Sequence, residues 1–468
     1  MTRMLVKTKN PSSAFVVSKI DMTGRWDPSY FQPELVALEN RVRGITPYRL
    51  RDFVTSMSGG STPPTKEAET HYTDNDDGVP FVRVQNLSTT GQLNLEDCKR
   101  ITRSTHEGLL ARSRLRGDEL LVKITGVGRM AIASVVPTGF EGNINQHIVA
   151  IRTKDKRTSE TIAAYLNLNL AERLASRRST GGTRPALDYP ALLSLPISFD
   201  ERIPTLMQAA VRTYEGRMSD AASLLARIDD ALLDELGITK KSEPSNTIAS
   251  RVFRRALSEV SGGRLDPTAN QERRTRLEQT IHSSQFGSRP LREIASFEKT
   301  LVNEIVDGES YIGLENVDGE SGEFRATTDK ESVGTAVRFL PGQLLFPKLR
   351  PYLNKTHLAK FGGICSTEFH VLTPHGVTGE YLAAFLRSRN IVEITSLLMT
   401  GNTLPRLQTS DIERLPIPVP PIARQQSICT KIRKLQSAAR ALRLQAITDL
   451  EDAKRAIEAM ILGKESLK

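Results

Sequence analysis

The chain has 468 residues, of which 38% are hydrophobic and 25% charged, with a formal net charge of +10. This length predicts two to four domains of a globular protein. The composition argues against a membrane span, a signal peptide, a disulfide framework and a zinc site, since the three cysteines lie far apart. We therefore expect a cytoplasmic protein without a metal ion. Its charge suits a polyanion such as nucleic acid, although many soluble proteins are equally basic.

The first half of the chain predicts short strands and then helices. Residues 81–87 and 119–124 are β-rich runs bounded by turn residues, and a helical stretch follows near 160–177. A loop of pattern T-G-x-T-x-P-x-L begins at Thr180 and leads to a short Leu-Pro-Ile strand. Apolar residues then recur in steps of four and three from Met207 to Leu232, which is typical of a coiled-coil helix.

The second half predicts the same order of elements. A strand at 343–349 and a helical stretch at 379–398 precede a second T-G-x-T loop, which begins at Thr400. A second long helix carries its apolar seam from Ile428 to Met460, with one stutter. Each long helix could instead be an amphipathic helix on a globular core. The equivalent placement of both helices, after each loop, favours a rod made from the two.

Charge also favours the pairing of the two helices. Residues 206–238 carry three Arg and six acidic residues, whereas residues 421–468 carry ten Lys or Arg and five acidic residues. Opposite net charges on two seams favour their pairing with each other over self-pairing. Because a long segment separates the helices, we expect them to run antiparallel.

The recurrence reflects an internal repeat. Residues 179–198 and 399–418 align without a gap, with eight of twenty positions identical. Four shorter pairs fall in the same order, which predicts a tandem duplication. These pairs are 24–28 with 263–267, 48–53 with 289–294, 81–87 with 311–317, and 115–121 with 340–346.

This duplicated order resembles the specificity subunit of type I restriction-modification systems. The run LPIPVPPIARQQ, from Leu415 to Gln426, is similar to the family's entry into its spacer helix. The GRWDP and GRLDP motifs at 24–28 and 263–267 resemble its opening. The first copy departs from the pattern, because SFDERIPTLMQ stands where a Pro-Pro entry is expected. The start of the first long helix is therefore left open.

The resemblance implies an α+β fold of two tandem, pseudo-symmetric target-recognition domains, joined by two long antiparallel coiled-coil helices. The boundaries predicted are 1–204 and 241–420 for the domains, and 205–240 and 421–468 for the spacer helices. Each domain would read one half of a bipartite target in double-stranded DNA. The helices would set the spacing and dock two modification (methyltransferase) subunits, and restriction or motor subunits would cleave the DNA. The chain would be non-catalytic, with S-adenosylmethionine and ATP bound by the partner subunits.

The chain itself offers no methyltransferase signature of the N/D-P-P-Y/F type. Gly126 to Ala131 spells GxGxxA, but the β-branched residues that follow favour a turn between strands over a nucleotide-binding loop. Two alternatives stay open. One is a duplicated recognition module of another phage-defence or methylation complex, and the other is a self-contained DNA methyltransferase with an unrecognised site.

Base reading requires Arg or Lys for guanine and Asn or Gln for adenine. The first body offers such residues at strand ends and turns, although a solvated loop would look similar. The segment PKLRPYLNK, at 347–355, is the strongest candidate of the second body. The candidates are Arg83, Gln85, Asn86, Lys123, Arg129, Asn143, Asn145, Gln146 and His147 in the first body, and Glu315, Asn316, Lys348, Arg350, Tyr352, Asn354, Lys355, Thr367, Glu368 and His370 in the second.

The two T-G-x-T loops are shared by both copies, so they cannot explain two different half-sites. Thr180, Arg184, Thr400 and Arg406 are interpreted as phosphate-positioning or subunit-docking residues. The alternative is that each loop is only a glycine turn that joins a body to its helix.

Overall fold

A computed structural model describes most of the chain, and it confirms the predicted mixture of helices and strands. The chain divides into two compact units, of which unit 1 is Met1–Arg217 with Leu444–Lys468, and unit 2 is Met218–Arg443. The motif pair 24–28 and 263–267 lies partly outside the described residues. The described residues are 26–239, 265–303, 309–326, 334–401 and 404–463, with positions 15, 17, 252–254 and 256.

Helices account for much of the described chain, and within these ranges every helix is too short or too polar to cross a membrane. They are α1 (Pro33–Ile45), α2 (Ala68–His71), α3 (Arg103–Glu107), α4 (Lys156–Leu166), α5 (Asn169–Arg178), α6 (Tyr189–Leu193), α7 (Arg202–Glu235), α8 (Glu272–His282), α9 (Gly379–Leu386), α10 (Arg389–Leu397), α11 (Thr409–Glu413) and α12 (Ile422–Ile461).

The described part of unit 1 contains two β-sheets. The first is antiparallel with order β1-β9-β6-β7, and the second has order β2-β4-β3-β8-β5, in which β3 and β8 run parallel. The strands are β1 (Ser56–Gly59), β2 (Tyr72–Thr73), β3 (Val79–Val82), β4 (Lys99–Ile101), β5 (Arg114–Leu115), β6 (Leu120–Lys123), β7 (Ala133–Val135), β8 (Gly142–Ile144) and β9 (Ile148–Arg152).

Unit 2 repeats the first sheet, with order β11-β18-β15-β16. Its second sheet has order β12-β14-β17-β13. Three of its strands, β13, β17 and β14, are arranged like β3, β8 and β5 of unit 1, but the remaining strands differ. The strands of unit 2 are β10 (Ser288–Pro290), β11 (Ala295–Glu298), β12 (Leu301–Val302), β13 (Tyr311–Ile312), β14 (Ala336–Phe339), β15 (Leu344–Pro347), β16 (His357–Leu358), β17 (Gly363–Ser366), β18 (Phe369–Pro374) and β19 (Pro416–Pro418).

The sequence repeats coincide with repeated local structure. The Leu50 N–H donates to the Leu195 carbonyl at 2.9 Å, and the Leu291 N–H donates to the Leu415 carbonyl at the same distance. The Leu-Pro-Ile segment therefore pairs with the start of its own body in both units. The predicted strand at 81–87 is shorter than expected, because β3 ends at Val82 and a 3-10 turn over Val84–Asn86 follows.

Both helical stretches that were predicted before the T-G-x-T loops are split in two. α4 and α5 are separated because Leu168 has extended backbone angles, and Ser388 separates α9 from α10 in the same way. The residue directly after the first helix of each pair is Asn167 in unit 1 and Arg387 in unit 2.

The two long helices bury the seams predicted from the heptads. Every seam residue from Met207 to Leu232 and from Ile428 to Met460 is buried or half-buried. In unit 1, Met207 and Val211 share a hydrophobic core with Leu450 and Ile457. In unit 2, Leu232 shares a core with Ile428 and Ile432. Each unit is therefore stabilised by apolar side chains of both long helices.

Candidate nucleic-acid interface

Several polar loops of unit 1 meet at one end of its sheets, just beyond the last residues of β3, β6 and β8. This end is called the edge of the unit below. Because β3 and β8 are parallel, the segments after them leave from the same end. The Asn145 N–H donates to the Val82 carbonyl at 3.1 Å, and the Ile124 N–H donates to the His147 carbonyl at 3.0 Å. The segment after β6 therefore joins the same edge.

Unit 2 builds the corresponding edge from different side chains. β13 and β17 are parallel, so the segments that follow them leave together. The Lys348 N–H donates to the Glu368 carbonyl at 2.8 Å, and the Lys355 ammonium donates to the Leu314 carbonyl at 2.6 Å. Segment 348–355, here called the reading segment, is thereby held beside the ends of both strands.

The T-G-x-T loops (180–187 and 400–407) contact these edges through the same backbone hydrogen bonds. The Leu187 N–H donates to the Ile124 carbonyl at 2.8 Å, and the Leu407 N–H donates to the Lys348 carbonyl at 2.9 Å. Thr180 pairs with Ala186 and Thr400 with Arg406 in isolated bridges. Each loop is therefore docked beside the end of the central strand of its own unit, β6 or β15.

Each of these loops turns at a glycine with positive φ, +95° at Gly181 and +96° at Gly401. This left-handed conformation explains the repeated T-G pattern, since glycine adopts it without steric cost. Arg184 is exposed, and Arg406 donates to the Glu368 carboxylate at 2.7 Å. The loops present an arginine at each edge, but from different positions.

The candidate residues of unit 1 divide into exposed and structural ones. Gln85 and Gln146 are exposed and Arg83 is half-buried, so these side chains are available at the edge. Asn143 and Asn145 are buried, and Asn143 donates to the Leu110 carbonyl at 2.8 Å. The Asn143 amide is thus occupied within unit 1. Base contact by these two asparagines stays a prediction.

The asparagine of the β3 turn is structural too, and its counterpart in unit 2 has the same role. Asn86 accepts from the Arg83 N–H at 2.9 Å and donates to the Asn94 carbonyl at 2.9 Å. Asn316 accepts from the Gly313 N–H at 2.9 Å and donates to the Arg325 carbonyl at 3.2 Å. Both amides hold a 3-10 turn, and base contact by them stays a prediction.

Two cations of unit 1 point inward rather than towards solvent. The buried Lys123 donates to the Val127 carbonyl at 2.7 Å, and burial lowers the pKa of its ammonium. Arg129 donates to the Asn169 side chain at 2.9 Å and to the Leu168 carbonyl at 2.8 Å. These residues brace the β6–β7 turn, and base contact by them stays a prediction.

In unit 2, two further candidates make contacts within the unit. The pKa of Lys348 is lowered by burial, and its ammonium donates to the Thr367 carbonyl at 2.8 Å. His370 is buried against Phe297, with ring centroids 5.4 Å apart, and burial lowers its pKa to about 3. This imidazole is neutral at physiological pH and faces the core.

The exposed part of the reading segment lies between two strained residues. Arg350 and Asn354 have φ of 49° and 52°, and Tyr352 between them is 45% exposed. Asn354 donates to the Arg387 carbonyl at 3.0 Å, so its amide group supports the segment. Arg350 and Tyr352 are therefore the reading-segment candidates that the structure leaves accessible, together with the exposed Glu315 and Thr367 on neighbouring turns.

Two residues of these edges were not predicted from the sequence. The Thr62 hydroxyl donates to the Gln146 side chain. Lys299, exposed after β11, adds positive charge near Lys348 and His370. Each residue lies a few positions after an outer strand of the first sheet, β1 for Thr62 and β11 for Lys299. Because binding residues often lie on loops that follow strands, this position could have identified them.

Residues 352–451 match the family model of the type I restriction modification DNA specificity domain. The chain is 23% identical over 122 residues to the type I restriction enzyme EcoDI specificity subunit of Escherichia coli, covering 26% of this chain and 27% of that protein. It is 26% identical over 150 residues to the EcoAI specificity subunit of the same organism, covering 30% and 26%. The matched segments thus span about a quarter of each curated relative.

Solved structures with low similarity include the HsdS subunit from Thermoanaerobacter tengcongensis, at 13% identity and a TM-score of 0.34, covering 89% of this chain and 96% of that one. The S subunit from M. genitalium has 12% identity and a TM-score of 0.34, with coverage of 90% and 96%. The family match and the two curated relatives confirm the resemblance on which the sequence prediction was based.

Proposed function

Because residues 352–451 carry this specificity domain, we propose that the chain is the DNA sequence-specificity subunit of a type I restriction-modification complex. It reads a bipartite target in double-stranded DNA, one half with each unit. One observation carries the proposal: the two units have the same backbone frame at their edges but expose different side chains there. Gln85, Gln146 and Arg184 are exposed in unit 1, and Arg350, Tyr352 and Arg406 in unit 2.

The shared frame and the different side chains divide the work of recognition. Phosphate contacts position a protein on DNA, whereas base contacts specify the sequence. The repeated T-G-x-T loops position both units in the same way on the backbone or on a partner subunit. Thr180 and Thr400 act through their backbone bridges, and Arg184 and Arg406 supply the charge.

The long helices act as the spacer and as the docking surface for two methyltransferase subunits. Ion pairs inside each unit support an antiparallel helix pair. Arg217 pairs with Asp449 in unit 1, and Glu235 pairs with Lys431 at 3.2 Å in unit 2. In both pairs the residue numbers sum to the same value, which supports a single antiparallel register for the proposed coiled coil.

The chain is non-catalytic in this proposal. The partner subunits bind S-adenosylmethionine and ATP, and the complex acts in the cytoplasm in defence against phage. Among the described residues, no group of His, Cys, Asp or Glu is arranged as a metal site. Methyl transfer from S-adenosylmethionine by the purified chain alone would refute this part of the proposal.

The recognition model is tested by selecting bound sequences from a randomised duplex library with the assembled complex. Arg350→Ala combined with Tyr352→Ala should change the preferred bases of one half-site, and Gln85→Ala those of the other. Arg289→Ala is a matched control, because Arg289 is exposed and paired with Glu293 at 3.0 Å away from the edge. Changes in both halves from one variant would contradict the two-reader model.

The spacer is tested by removing one heptad from each helix in register, residues 218–224 and 442–448. Seven helical residues span about 10 Å, which is about three base pairs of DNA. The complex should then prefer a target whose half-sites are about three base pairs closer. Unchanged spacing in an assembled, DNA-binding complex would contradict the spacer role.

A duplicated recognition module of another defence or methylation complex is the alternative. Purifying the chain with its bound partners distinguishes this alternative from the proposed function. The alternative requires partners other than methyltransferase and motor subunits.

A further inference from the structure

We infer that Arg387 is the positioning residue that fixes the reading segment of unit 2 in its base-reading conformation. This inference rests on the proposed function. The Arg387 guanidinium donates to the Asn354 carbonyl at 2.6 Å and to the Thr356 carbonyl at 3.3 Å. It also donates to the carbonyls of Gly319 at 3.0 Å and Glu320 at 2.6 Å. One side chain thus joins the reading segment to the turn 318–323.

The reading segment needs such an external support. Arg350 and Asn354 adopt left-handed backbone angles, which non-glycine residues rarely adopt unless their surroundings impose them. Arg387 bonds the segment at its C-terminal end twice, since its own carbonyl accepts from the Asn354 amide at 3.0 Å. Without these bonds, we expect Tyr352 to lose its fixed position.

Two glycines show how closely the turn approaches the reading segment. A Cβ atom at Gly322, where φ is +72°, would lie 2.7 Å from both the Arg387 guanidinium and the Thr356 carbonyl. A Cβ atom at Gly319 would lie 2.5 Å from the Leu353 carbonyl. Both distances are shorter than van der Waals contact, so the turn leaves space only for the guanidinium and the segment.

The turn 318–323 is also bound to α12. Arg443 donates to both carboxylate oxygens of Glu320, at 2.5 and 2.6 Å, and Arg440 pairs with Glu323. The side-chain bond from Arg440 lowers the pKa of Glu323, so this carboxylate is ionised at neutral pH. Arg387 therefore attaches the reading segment, through the turn, to the long helix within unit 2.

Unit 1 has a different residue at the corresponding position. Asn167 ends α4 as Arg387 ends α9, and its amide donates to the Ala133 carbonyl at 2.7 Å and accepts from the Ala133 N–H at 3.1 Å. It therefore supports β7, the strand that follows the β6–β7 turn. The residue after this helix therefore supports the edge in both units. It is an amide that bonds β7 in unit 1 and a guanidinium that bonds the reading segment in unit 2.

The test is selection from a randomised duplex library by the assembled complex, with and without Arg387→Gln. Each mismatched base pair usually weakens specific binding by roughly 5- to 150-fold. In the variant, this penalty should fall by about fivefold in the second half-site and stay unchanged in the first. Arg387→Lys should behave like Arg387→Gln, because a single ammonium cannot replace a fork that reaches four carbonyls.

Two further variants keep the outcome decisive. Glu320→Gln removes one ion pair at a half-exposed carboxylate, so it should reduce discrimination in the second half-site even if Arg387→Gln fails to assemble. Arg289→Gln is the matched control, because Arg289 is 55% exposed on β10 and lies 3.0 Å from its partner Glu293. It should leave both half-sites unchanged.

The outcomes separate this inference from the proposed function. If Arg387→Gln keeps the wild-type base preference and the full mismatch penalties in both half-sites, the role of Arg387 is overturned and the proposed function is unaffected. Equal losses in the two half-sites would indicate a general structural role and would also overturn it. No sequence preference of the unaltered complex would refute the proposed function itself.

Discussion

A buried carboxylate fixes helix α1 to helix α5 in unit 1. Glu39, 4% exposed, pairs with the guanidinium groups of Arg177 and Arg178, which are 7% and 3% exposed. Arg177 also donates to the Tyr30 carbonyl at 2.6 Å. Because α5 leads directly into the T-G-x-T loop of unit 1, this cluster supports the candidate interface.

Glu39→Gln removes the negative charge and leaves two buried guanidinium groups without a counter-ion. Breaking a buried ion pair in this way costs about 3–5 kcal/mol. If local opening limits exchange, the amides of α1 and α5 should exchange roughly 150- to 5,000-fold faster in the variant, at 1.36 kcal/mol per tenfold. Hydrogen–deuterium exchange followed by mass spectrometry of peptides from both helices measures this ratio.

Glu34→Gln is the matched control on the same helix. Glu34 is 72% exposed on its side chain and lies 3.7 Å from Arg173, so its loss should cost less than about 1 kcal/mol. Similar acceleration by the two variants, or less than about tenfold acceleration by Glu39→Gln, would refute the reasoning.

The Glu39 effect should also depend on pH. Burial alone would raise the pKa of Glu39, but the charges of Arg178, Arg177 and Arg43 hold it below its ordinary value of 4.5. The stability that Glu39 contributes is therefore complete above pH 4.5 and is lost as the pH falls through the lowered pKa. The exchange ratio between variant and wild type should approach one over that range.

Three further predictions concern stability. Leu232→Ala in the buried seam should cost about 2–5 kcal/mol in thermal unfolding, whereas Leu444→Ala, 65% exposed on α12, should cost little. Asn316→Asp keeps the acceptor but loses the donor to the Arg325 carbonyl, so unit 2 should lose about 1–3 kcal/mol without a change in the bases selected. His370 should titrate near its lowered pKa of about 3 in NMR, and because the unfolded chain binds this proton first, unit 2 should lose stability as the pH falls below 6.5.

Backbone features were the part that the sequence predicted well. The repeat located the T-G-x-T loops, since only glycine adopts the φ of Gly181 and Gly401 without cost. The heptads located both seams, because side-chain burial along a helix follows its period. The breaks within the two predicted helical stretches were missed, since each break depends on the extended angles of a single residue, Leu168 or Ser388.

Several candidate side chains of the edges make bonds within their own unit, and the sequence contained a signal for some of these bonds. Asn86 and Asn316 occur in both copies, so like the shared T-G-x-T loops they cannot specify two different half-sites. Lys123 ends a strand that is buried throughout, and a continuous apolar run predicts burial on both faces. Burial of His370, within the equally buried run of β18, follows from the same argument.

The role of Arg387 could not have been predicted in this way. Its acceptors lie 31 to 68 residues earlier in the chain, so no local pattern connects them. Arginine at the end of a helix is common, since it also favours the helix dipole. Only the fold brings the turn 318–323 and the reading segment within reach of one guanidinium group.

The charges of the long helices are distributed more finely than their net values suggest. In α12, residues 422–443 contain six Lys or Arg and no acidic residue, whereas residues 444–461 contain four acidic residues and two basic ones. In α7, residues 202–217 contain three Arg and one Glu, and residues 218–235 contain one Arg and five acidic residues. Each helix is therefore basic in its first half and acidic in its second.

This division argues for orientation rather than for simple attraction between two helices. An antiparallel pair brings each basic half beside an acidic half, whereas a parallel pair would bring like charges together. The basic half of α12 also bonds the body of unit 2 through Arg440 and Arg443, so its charge serves two purposes. Exchanging the charges of Arg217 and Asp449 should therefore preserve the pair, whereas Asp449→Arg alone should weaken assembly at low salt and less so at high salt.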